Sequence, residues 1–368
     1  MFDTELIEDI LGKTAEEVKK MDPCNILLIG KTGVGKSTLI NSLFREKLAT
    51  TGIGKPITNH LRKITKEGIP LVLYDTRGYE LTKESQEAVN KEIFDTINQS
   101  FLKERDRIHL IYYCINSVSG RIEDKEIEMI NRLGEKIPVI VVLTQAIGET
   151  ADHLKKYIDG LDLKIVKCLK VLAKEYHLSG GYVVKPFGLD ELLETSFQWV
   201  PENVYDSFNN AQQIDIDNKV KRARSWAKKY IASSFGVGFV PIPFSDASVL
   251  VPMQVGMLAH ITAIFGLSMD KAKIASIIGA VGGTGGATFL GKYIVSNALK
   301  IIPGLGTIAG GLISGATAST LTTALAMSYI ESLAFIAKRE RDGKELDLSD
   351  LEELMKISFK EYLSRKKK

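Results

Sequence analysis

The residues that could do chemistry begin with a glycine-rich stretch, GKTGVGKST, at positions 30–38. It matches the phosphate-binding template G-x-x-x-x-G-K-[ST] in every fixed position, after an apolar run at 25–29 and before a helical pattern at 39–44. Glycines let backbone N–H groups wrap a phosphate chain, Lys36 reaches the β/γ oxygens, and the Ser37 hydroxyl can hold Mg²⁺ at the positive end of the helix. The predicted phosphate loop consists of Gly30, Lys31, Thr32, Gly33, Val34, Gly35, Lys36, Ser37 and Thr38.

A second candidate element is the segment DTRG at 75–78, at the end of the strand-like run 71–74. A carboxylate at a strand end, here Asp75, can orient the water shell of Mg²⁺, and a following glycine, Gly78, can offer its N–H to a γ-phosphate. With this element the chain resembles the translation-factor-related GTPases, in which D-x-x-G has these roles. The resemblance implies a nucleotide site that binds GTP or GDP with Mg²⁺.

The segment GKPITN at 54–59 is similar to the G-x-P-x-T segment of the Era-like GTPases. The resemblance implies that Thr58 closes over Mg²⁺ in the triphosphate state, so that the expected metal ligands are Ser37, Thr58 and Asp75. The alternative is a loop threonine without a metal role, because other threonines lie nearby in the sequence. These competitors are Thr50, Thr51 and Thr65.

The base-recognition element departs from the family. Its pattern is N/T-K-x-D, and this chain has TQAI at 144–147, after an apolar run at 139–143. Thr144 matches and Gln145 can lay its stem along the base, but Ile147 accepts no hydrogen bond, so guanine specificity is an open question. Two nearby acids could replace the missing carboxylate, or could simply be surface acids at a helix start. They are Glu149 and Asp152.

The last expected element is a loop of small residues over the base. We place it at 183–187, before the segment GLDEL at 188–192, because a Gly-Leu-x-Glu-Leu ending recurs in Era-like domains.

The catalytic group is not evident from the sequence. Tyr79 follows the glycine at the position where Ras-like proteins have a water-positioning glutamine. The resemblance implies slow turnover, or a group supplied by a partner or second subunit. Arg77 could neutralise transition-state charge, in cis or across a dimer, or could be a solvated arginine. The candidate catalytic residues are Lys36, Thr58, Arg77 and Gly78.

Strand-like apolar runs alternate with helical patterns through the first half of the chain, which predicts an α/β sheet wound with helices on both faces. The expected fold is a P-loop GTPase-type, doubly wound, mostly parallel sheet followed by an all-α helical domain. The predicted strands are 24–30, 61–66, 69–75, 108–116, 137–143 and 181–187, and the predicted helices 36–45, 83–100, 121–134, 150–176 and 188–199. The predicted domains are an N-terminal helical arm at 1–22, the GTPase domain at 23–200 and a helical Gly/Ala-rich domain at 201–368.

Charge and cysteine content narrow the function classes. The net charge of +3 with 25% charged residues gives no overall basicity, so no nucleic-acid partner is expected. The three cysteines are an odd number, and we expect buried, reduced thiols in a cytosolic protein. The acidic N-terminal sequence MFDTELIEDI lacks the features of a secretory signal.

The second half contains two stretches without a charged residue, 274–291 and 301–330, each long enough to span a bilayer but interrupted by glycines. A basic segment at 221–229 precedes them and would face anionic lipid. The element PIPFSD at 241–246 resembles one in an uncharacterised helical domain often found behind bacterial Era-like GTPases. The alternative is a soluble, tightly packed Ala/Gly-rich bundle.

The leading hypothesis is a slowly hydrolysing, Mg²⁺-dependent GTPase switch whose helical domain acts on an anionic membrane surface through residues 221–336. In its logic it resembles dynamin-like and immunity-related GTPases, and a nucleotide-dependent homodimer would fit that logic. The expected location is the cytoplasm, or the inner face of the cell membrane. The rivals are a soluble ribosome- or assembly-type switch and an NTP-binding protein with relaxed base choice.

Overall fold

The computed structural model describes residues 4–58, 60–76, 83–237, 245–282 and 315–364. The chain divides into two compact units. The nucleotide unit comprises Met21–Asp215, and the helical unit comprises Met1–Lys20 together with Ile216–Lys368.

The nucleotide unit is built on a seven-stranded sheet with the order β2-β3-β4-β1-β5-β6-β7. The strands are β1 (Cys24–Ile29), β2 (Ile53–Pro56), β3 (Leu61–Lys66), β4 (Ile69–Thr76), β5 (Leu110–Asn116), β6 (Val139–Thr144) and β7 (Lys167–Lys170). β4, β1, β5, β6 and β7 run parallel, and β3 is antiparallel to both β2 and β4. The carboxyl ends of the five parallel strands therefore meet at one edge of the sheet, where open α/β sheets bind ligands.

Helices cover both faces of this sheet. They are α2 (Lys36–Leu43), α3 (Leu48–Thr51), α4 (Lys83–Ser100), α5 (Asp124–Gly134), α6 (Glu149–Asp159), α7 (Leu189–Trp199) and α8 (Tyr205–Ala211). Successive side chains of a strand point to opposite faces of the sheet, so β1 contributes side chains to two cores. Ile26 packs in the core that contains Leu39 of α2, whereas Leu27 packs in the core that contains Ile93 of α4 and Ile130 of α5. The predicted doubly wound, mostly parallel fold is confirmed.

One predicted helix and one predicted strand are wrong. The helix predicted at 150–176 ends at Asp159, capped by Gly160, and β7 occupies Lys167–Lys170. Cys168 and Leu169 belong to opposite cores, which is the alternation of a sheet strand. The strand predicted at 181–187 is reduced to β9 (Val183–Val184), which pairs only with β8 (Tyr176–His177) in a small hairpin.

The nucleotide unit extends beyond the predicted domain end at residue 200, because the polar segment that follows is packed on it. Phe208 of α8 is fully buried, with its ring 5.9 Å from that of Phe44 and 4.7 Å from that of Phe197. The Gln213 N–H donates to Leu43 O at 3.0 Å. These contacts hold the segment 201–215 in the nucleotide unit.

The helical unit combines both ends of the chain. Its helices are α1 (Thr4–Lys20), α9 (Ile216–Val237), α10 (Ser245–Phe265), α11 (Lys271–Gly282), α12 (Gly315–Arg341) and α13 (Leu348–Ser364). The segment predicted as an N-terminal arm packs inside this unit: Leu6 and Ile10 share its core with Leu258, and Lys271 Nζ pairs with Glu8 at 2.6 Å.

Within the described residues, one helical segment is long and apolar enough to cross a membrane, Ser319–Arg341 of α12. Its apolar window is 67% buried inside the unit, and Tyr329 in this segment is hydrogen bonded to Thr262 of α10 at 2.6 Å. Of the predicted spans 274–291 and 301–330, the parts within 283–314 lie outside the described residues.

The three cysteines, Cys24, Cys114 and Cys168, are buried free thiols, as predicted. Burial raises the pKa of Cys114 and Cys168 to about 12, so neither thiol is ionised at neutral pH.

Candidate nucleotide-binding site

The phosphate loop joins β1 to α2 through glycines with backbone angles that other residues rarely adopt. The φ angles are 150° at Gly30, 78° at Gly33 and 97° at Gly35. A Cβ on Gly30 would lie 2.4 Å from the carbonyl oxygen of Cys114 in β5. The loop therefore requires glycine at Gly30 both for its backbone angle and for its close approach to the neighbouring strand.

Lys36 closes the loop on itself. Its Nζ donates to Gly30 O at 2.6 Å and to Lys31 O at 3.1 Å. The buried Thr144 hydroxyl donates to Val34 O and, at 3.2 Å, to Ile115 O. The end of β6 therefore supports the phosphate loop. The phosphate loop is thus curved around the ammonium group of Lys36, and this positive charge can attract a phosphate.

The remaining loop residues present donors to solvent at the start of α2. Thr32, Gly33 and Ser37 are exposed, and the first residues of a helix have backbone N–H groups without intrahelical partners. Lys31 instead points to the start of α5, where its Nζ lies 2.6 Å from Glu123 Oε1. That hydrogen bond holds the pKa of Glu123 below its usual range.

Asp75 lies beside the strand that leads into the phosphate loop. It is buried near the end of β4, in register with Leu28 of β1, and Arg62 Nη2 lies 3.2 Å from its Oδ2. The next residue, Thr76, donates its hydroxyl to Leu28 O at 3.1 Å and fixes this end of β4 to β1. The structure thus brings the predicted carboxylate to the edge that holds the phosphate loop.

These groups fit a magnesium ion. The hydroxyl of Ser37 and the carboxylate of Asp75 are hard oxygen donors, and Mg²⁺ is commonly held by one or two protein groups plus substrate phosphates. No group of three or more His, Cys, Asp or Glu side chains suited to a metal occurs among the described residues.

The third predicted metal ligand, Thr58, is engaged elsewhere in this structure. Its hydroxyl accepts the Leu61 N–H at 3.1 Å. The predicted residues Arg77 and Gly78, and also Tyr79, lie outside the described residues.

The base end of the site is formed by the loop after β6. Gln145 is exposed and has a φ of 52°, and its carbonyl oxygen accepts the Ser117 hydroxyl at 2.9 Å. Its amide nitrogen lies 3.9 Å from the position of a Cβ on Gly35, so the side chain borders the phosphate loop. Ile147 is half-buried.

The two candidate acids both lie near the start of α6. Glu149 is an exposed residue in the first turn of α6. Asp152 forms an ion pair with Lys170 of β7, whose hydrogen bond lowers the pKa of this carboxyl.

The loop 171–174, which follows β7, lies beside the loop after β6, and its Leu172 pairs with Phe187 at the end of the segment 183–187 that we place over the base from the sequence. Val171 O accepts the Ala146 N–H at 3.3 Å, and Ala173 O accepts the Ser42 hydroxyl at 2.9 Å. Residues 171–174 are therefore tied both to the loop after β6 and to α2. One sequence signal could have located this loop: Gly160 as the end of the preceding helix.

Comparisons with known proteins agree with this geometry. Residues 25–145 match the family model described as 50S ribosome-binding GTPase. Septin-8-B of Xenopus laevis is 23% identical over 226 residues, covering 55% of this chain and 50% of that protein. Translocase of chloroplast 101, chloroplastic, of Physcomitrium patens is 31% identical over 147 residues, covering 38% of this chain and 16% of that protein.

The tRNA modification GTPase MnmE of Aquifex aeolicus is 27% identical over 223 residues, covering 60% of this chain and 44% of that protein. The chain thus spans half or less of the length of these relatives. The matches identify a P-loop GTPase domain at residues 25–145.

Proposed function

We propose that this protein is a Mg²⁺-dependent switch that binds GTP, hydrolyses it slowly and passes its nucleotide state to the helical unit. The observation that carries the proposal is the phosphate loop, already curled around the Lys36 ammonium and placed beside Asp75 at the carboxyl edge of a parallel sheet. We expect slow hydrolysis because no water-positioning residue is evident in the sequence.

In this proposal each group of the chain has a defined task. The backbone N–H groups of the loop bind the β-phosphate, and Lys36 exchanges its carbonyl partners for β/γ oxygens. Ser37, Asp75 and Thr58 would hold Mg²⁺, which neutralises charge on the phosphates when bound. Gly78 offers its N–H to the γ-phosphate, and Arg77 neutralises charge in the transition state.

Thr144, Gln145 and the loop 171–174 surround the base. Ile147 has no acceptor for the guanine N–H groups, and Asp152 is already paired with Lys170. These two observations support a second candidate, an NTP-binding site with relaxed base choice. Displacement of a fluorescent GTP analogue by GTP and by ATP distinguishes the guanine-specific switch from the site with relaxed base choice. Equal competition by the two nucleotides would exclude a guanine-specific switch.

Nucleotide binding itself is tested with Lys36→Ala. Loss of the ammonium should abolish or greatly weaken binding of a fluorescent GTP analogue, because the charged contact to the phosphates disappears. Lys103→Ala, at an exposed lysine, is the control and should bind normally. Binding and hydrolysis by Lys36→Ala equal to wild type would refute the proposal.

We further propose that the helical unit contacts an anionic membrane surface through α9. Its exposed basic residues recur at helical spacing, which places them on one face. They are Lys221, Arg224 and Lys228, with Lys229 stacked 3.6 Å from the centre of the Trp226 ring. Because the apolar window of α12 is mostly buried in the unit, surface binding is favoured over insertion of that helix.

Co-sedimentation of the full chain with phosphatidylserine vesicles tests this surface. The triple change of Lys221, Arg224 and Lys228 to Glu should abolish binding, and high salt should weaken binding by wild type. The matched control changes Lys356 and Lys360 of α13, both exposed, to Glu. Equal loss in the control, or no binding by wild type, would favour the soluble ribosome- or assembly-type switch.

A nucleotide-dependent homodimer is proposed from the β8–β9 hairpin. Tyr182 and Tyr176 are 74% and 48% exposed, and a two-stranded hairpin is marginally stable without a partner surface. Sedimentation equilibrium with GDP and with a non-hydrolysable GTP analogue is the test, and a monomer in both states would refute the dimer.

A further inference from the structure

The carboxyl end of α2, the helix that starts in the phosphate loop, is capped by a residue distant in sequence. The last four carbonyls of an α-helix have no partner within the helix. In α2 the first of the four, Ile40 O, accepts the Phe44 N–H at 2.9 Å. Gln213 bonds to the remaining three, through its side-chain Nε2 and its backbone N–H. The distances are 3.2 Å from Nε2 to Asn41 O, 3.0 Å from Nε2 to Ser42 O and 3.0 Å from the N–H to Leu43 O.

The shortness of α2 makes its two ends depend on each other. The helix has eight residues, and helices shorter than about 12 residues are marginal on their own. Its first residue is Lys36, so the phosphate loop and the Gln213 cap lie at opposite ends of the same short helix. Because helix formation is cooperative, loss of the cap at one end should weaken the hold on Lys36 at the other.

The segment that carries Gln213 is itself ordered by hydrogen bonds. The side chain of Gln212, 1% exposed, accepts the Ile214 and Asp215 N–H groups on Oε1, both at 2.8 Å. Its Nε2 donates to Asp215 O at 2.8 Å. α9 begins directly after Asp215. The Gln213 cap therefore belongs to the connection 212–215, which leads from the nucleotide unit into α9.

The chain just beyond α2 is fixed to the same part of the molecule. Phe44 forms an isolated antiparallel bridge with Gln212. Arg45 donates from Nε to Asn210 O at 3.0 Å and from Nη2 to Asn210 Oδ1 at 2.6 Å. The connection and the end of α2 thus form one hydrogen-bonded cluster, in which Gln213 reaches the helix carbonyls.

We propose that Gln213 is a positioning residue that holds α2 for nucleotide binding, so that a nucleotide in the phosphate loop and the docking of 212–215 on α2 stabilise each other. The inference rests on the proposed function, because it needs the phosphate loop to bind a nucleotide. Coupling between two sites is reciprocal, so each event strengthens the other by the same factor. The loop is proposed to bind the β-phosphate, which GDP and GTP share, and the linkage therefore reports occupancy of the site.

The affinity test uses Gln213→Met, which keeps the length of the side chain but removes its donors. With Mg²⁺ present, it should weaken binding of a fluorescent GDP analogue about fivefold, or about 1 kcal/mol. Gln213→Lys again places a donor at the carboxyl end of the helix and should bind within about twofold of wild type. Gln198→Met, at an exposed glutamine of α7, is the matched control and should bind normally. Wild-type affinity in Gln213→Met, or an equal loss in Gln213→Lys, would overturn the inference.

Hydrogen exchange of the wild-type protein tests the reciprocal effect without a substitution. Saturating GDP should slow exchange of the Phe44 and Gln213 amides about fivefold, because both donate to carbonyls at the end of α2. The Val200 amide, which donates to Ser196 O at the end of α7, is the matched control and should be slowed less. Equal slowing at all three amides, or no slowing at Phe44 and Gln213 in a protein that binds GDP, would overturn the linkage alone. No binding of GDP by wild type would overturn the proposed function together with the linkage.

Discussion

Mild acid should destabilise the nucleotide unit through a single buried histidine. His109, 6% exposed and immediately before β5, accepts the Asn25 backbone N–H on its ring Nδ1 at 3.0 Å, and the backbone N–H of His109 donates to Asn25 O at 2.9 Å. Burial, reinforced by the positive charge of Arg107, lowers the pKa of His109 from 6.5 to about 4. A proton on Nδ1 would also replace the acceptor with a donor facing the Asn25 N–H.

The direction and the size of this destabilisation follow from proton linkage. Between pH 6.5 and pH 4 the unfolded chain binds more protons at this site than the folded chain, so stability falls as the pH falls. The stability due to the neutral ring is fully present above pH 6.5, with a loss of about 2 kcal/mol by pH 5 and about 3 kcal/mol below pH 4.

The assay is urea unfolding at pH 7.5 and pH 5, with Trp199 fluorescence as the reporter of the nucleotide unit in a Trp226→Phe background. His109→Asn keeps an acceptor near the position of Nδ1 but cannot be protonated there. Between pH 7.5 and pH 5, the unfolding free energy of His109→Asn should therefore fall by about 2 kcal/mol less than that of its parent. His153→Asn, at an exposed histidine of α6, is the control and should keep the parental pH dependence. An identical pH dependence in His109→Asn and its parent would refute the role of this ring.

Three further predictions concern the loop and its support. Gly30→Ala should abolish GTP binding while retaining the sheet, as checked by titration and circular dichroism, because the added Cβ meets Cys114 O at 2.4 Å. Thr144→Val should weaken GTP binding about tenfold by removing the hydroxyl that supports Val34 O; unchanged affinity in the titration would contradict this. Phe208→Ala should lower the unfolding free energy of the nucleotide unit by about 3–5 kcal/mol, and a urea curve matching wild type would exclude packing of 201–215 on this unit.

The phosphate loop and the first strands could be predicted because each rests on local sequence. The template fixes residue types at set spacings, and β1 is a continuous apolar run, as expected for a strand buried on both faces. β7 was missed because only Cys168 and Leu169 of its four residues are buried, between two lysines. Such a short pattern fits a helix as well as a strand.

Other features depend on contacts distant in sequence. The segment 201–215 is polar in composition, and the burial of Phe208 against Phe44 cannot be seen from local periodicity. Likewise, the sequence predicts a metal role for Thr58, whereas in the structure its hydroxyl accepts the Leu61 N–H, and the neighbouring His60 N–H donates to Glu92 of α4. Tertiary packing determines both the burial of Phe208 and the contacts of Thr58.

The division of the helical unit between the two ends of the chain has a consequence for biosynthesis. α1 leaves the ribosome before α10, its core partner, which is translated only after the whole of 21–215. At roughly 5–20 residues per second, α1 waits on the order of 10–40 s with Leu6, Ile7 and Ile10 uncovered. The nucleotide unit can fold during that interval, so the switch is complete before the helices it is proposed to control.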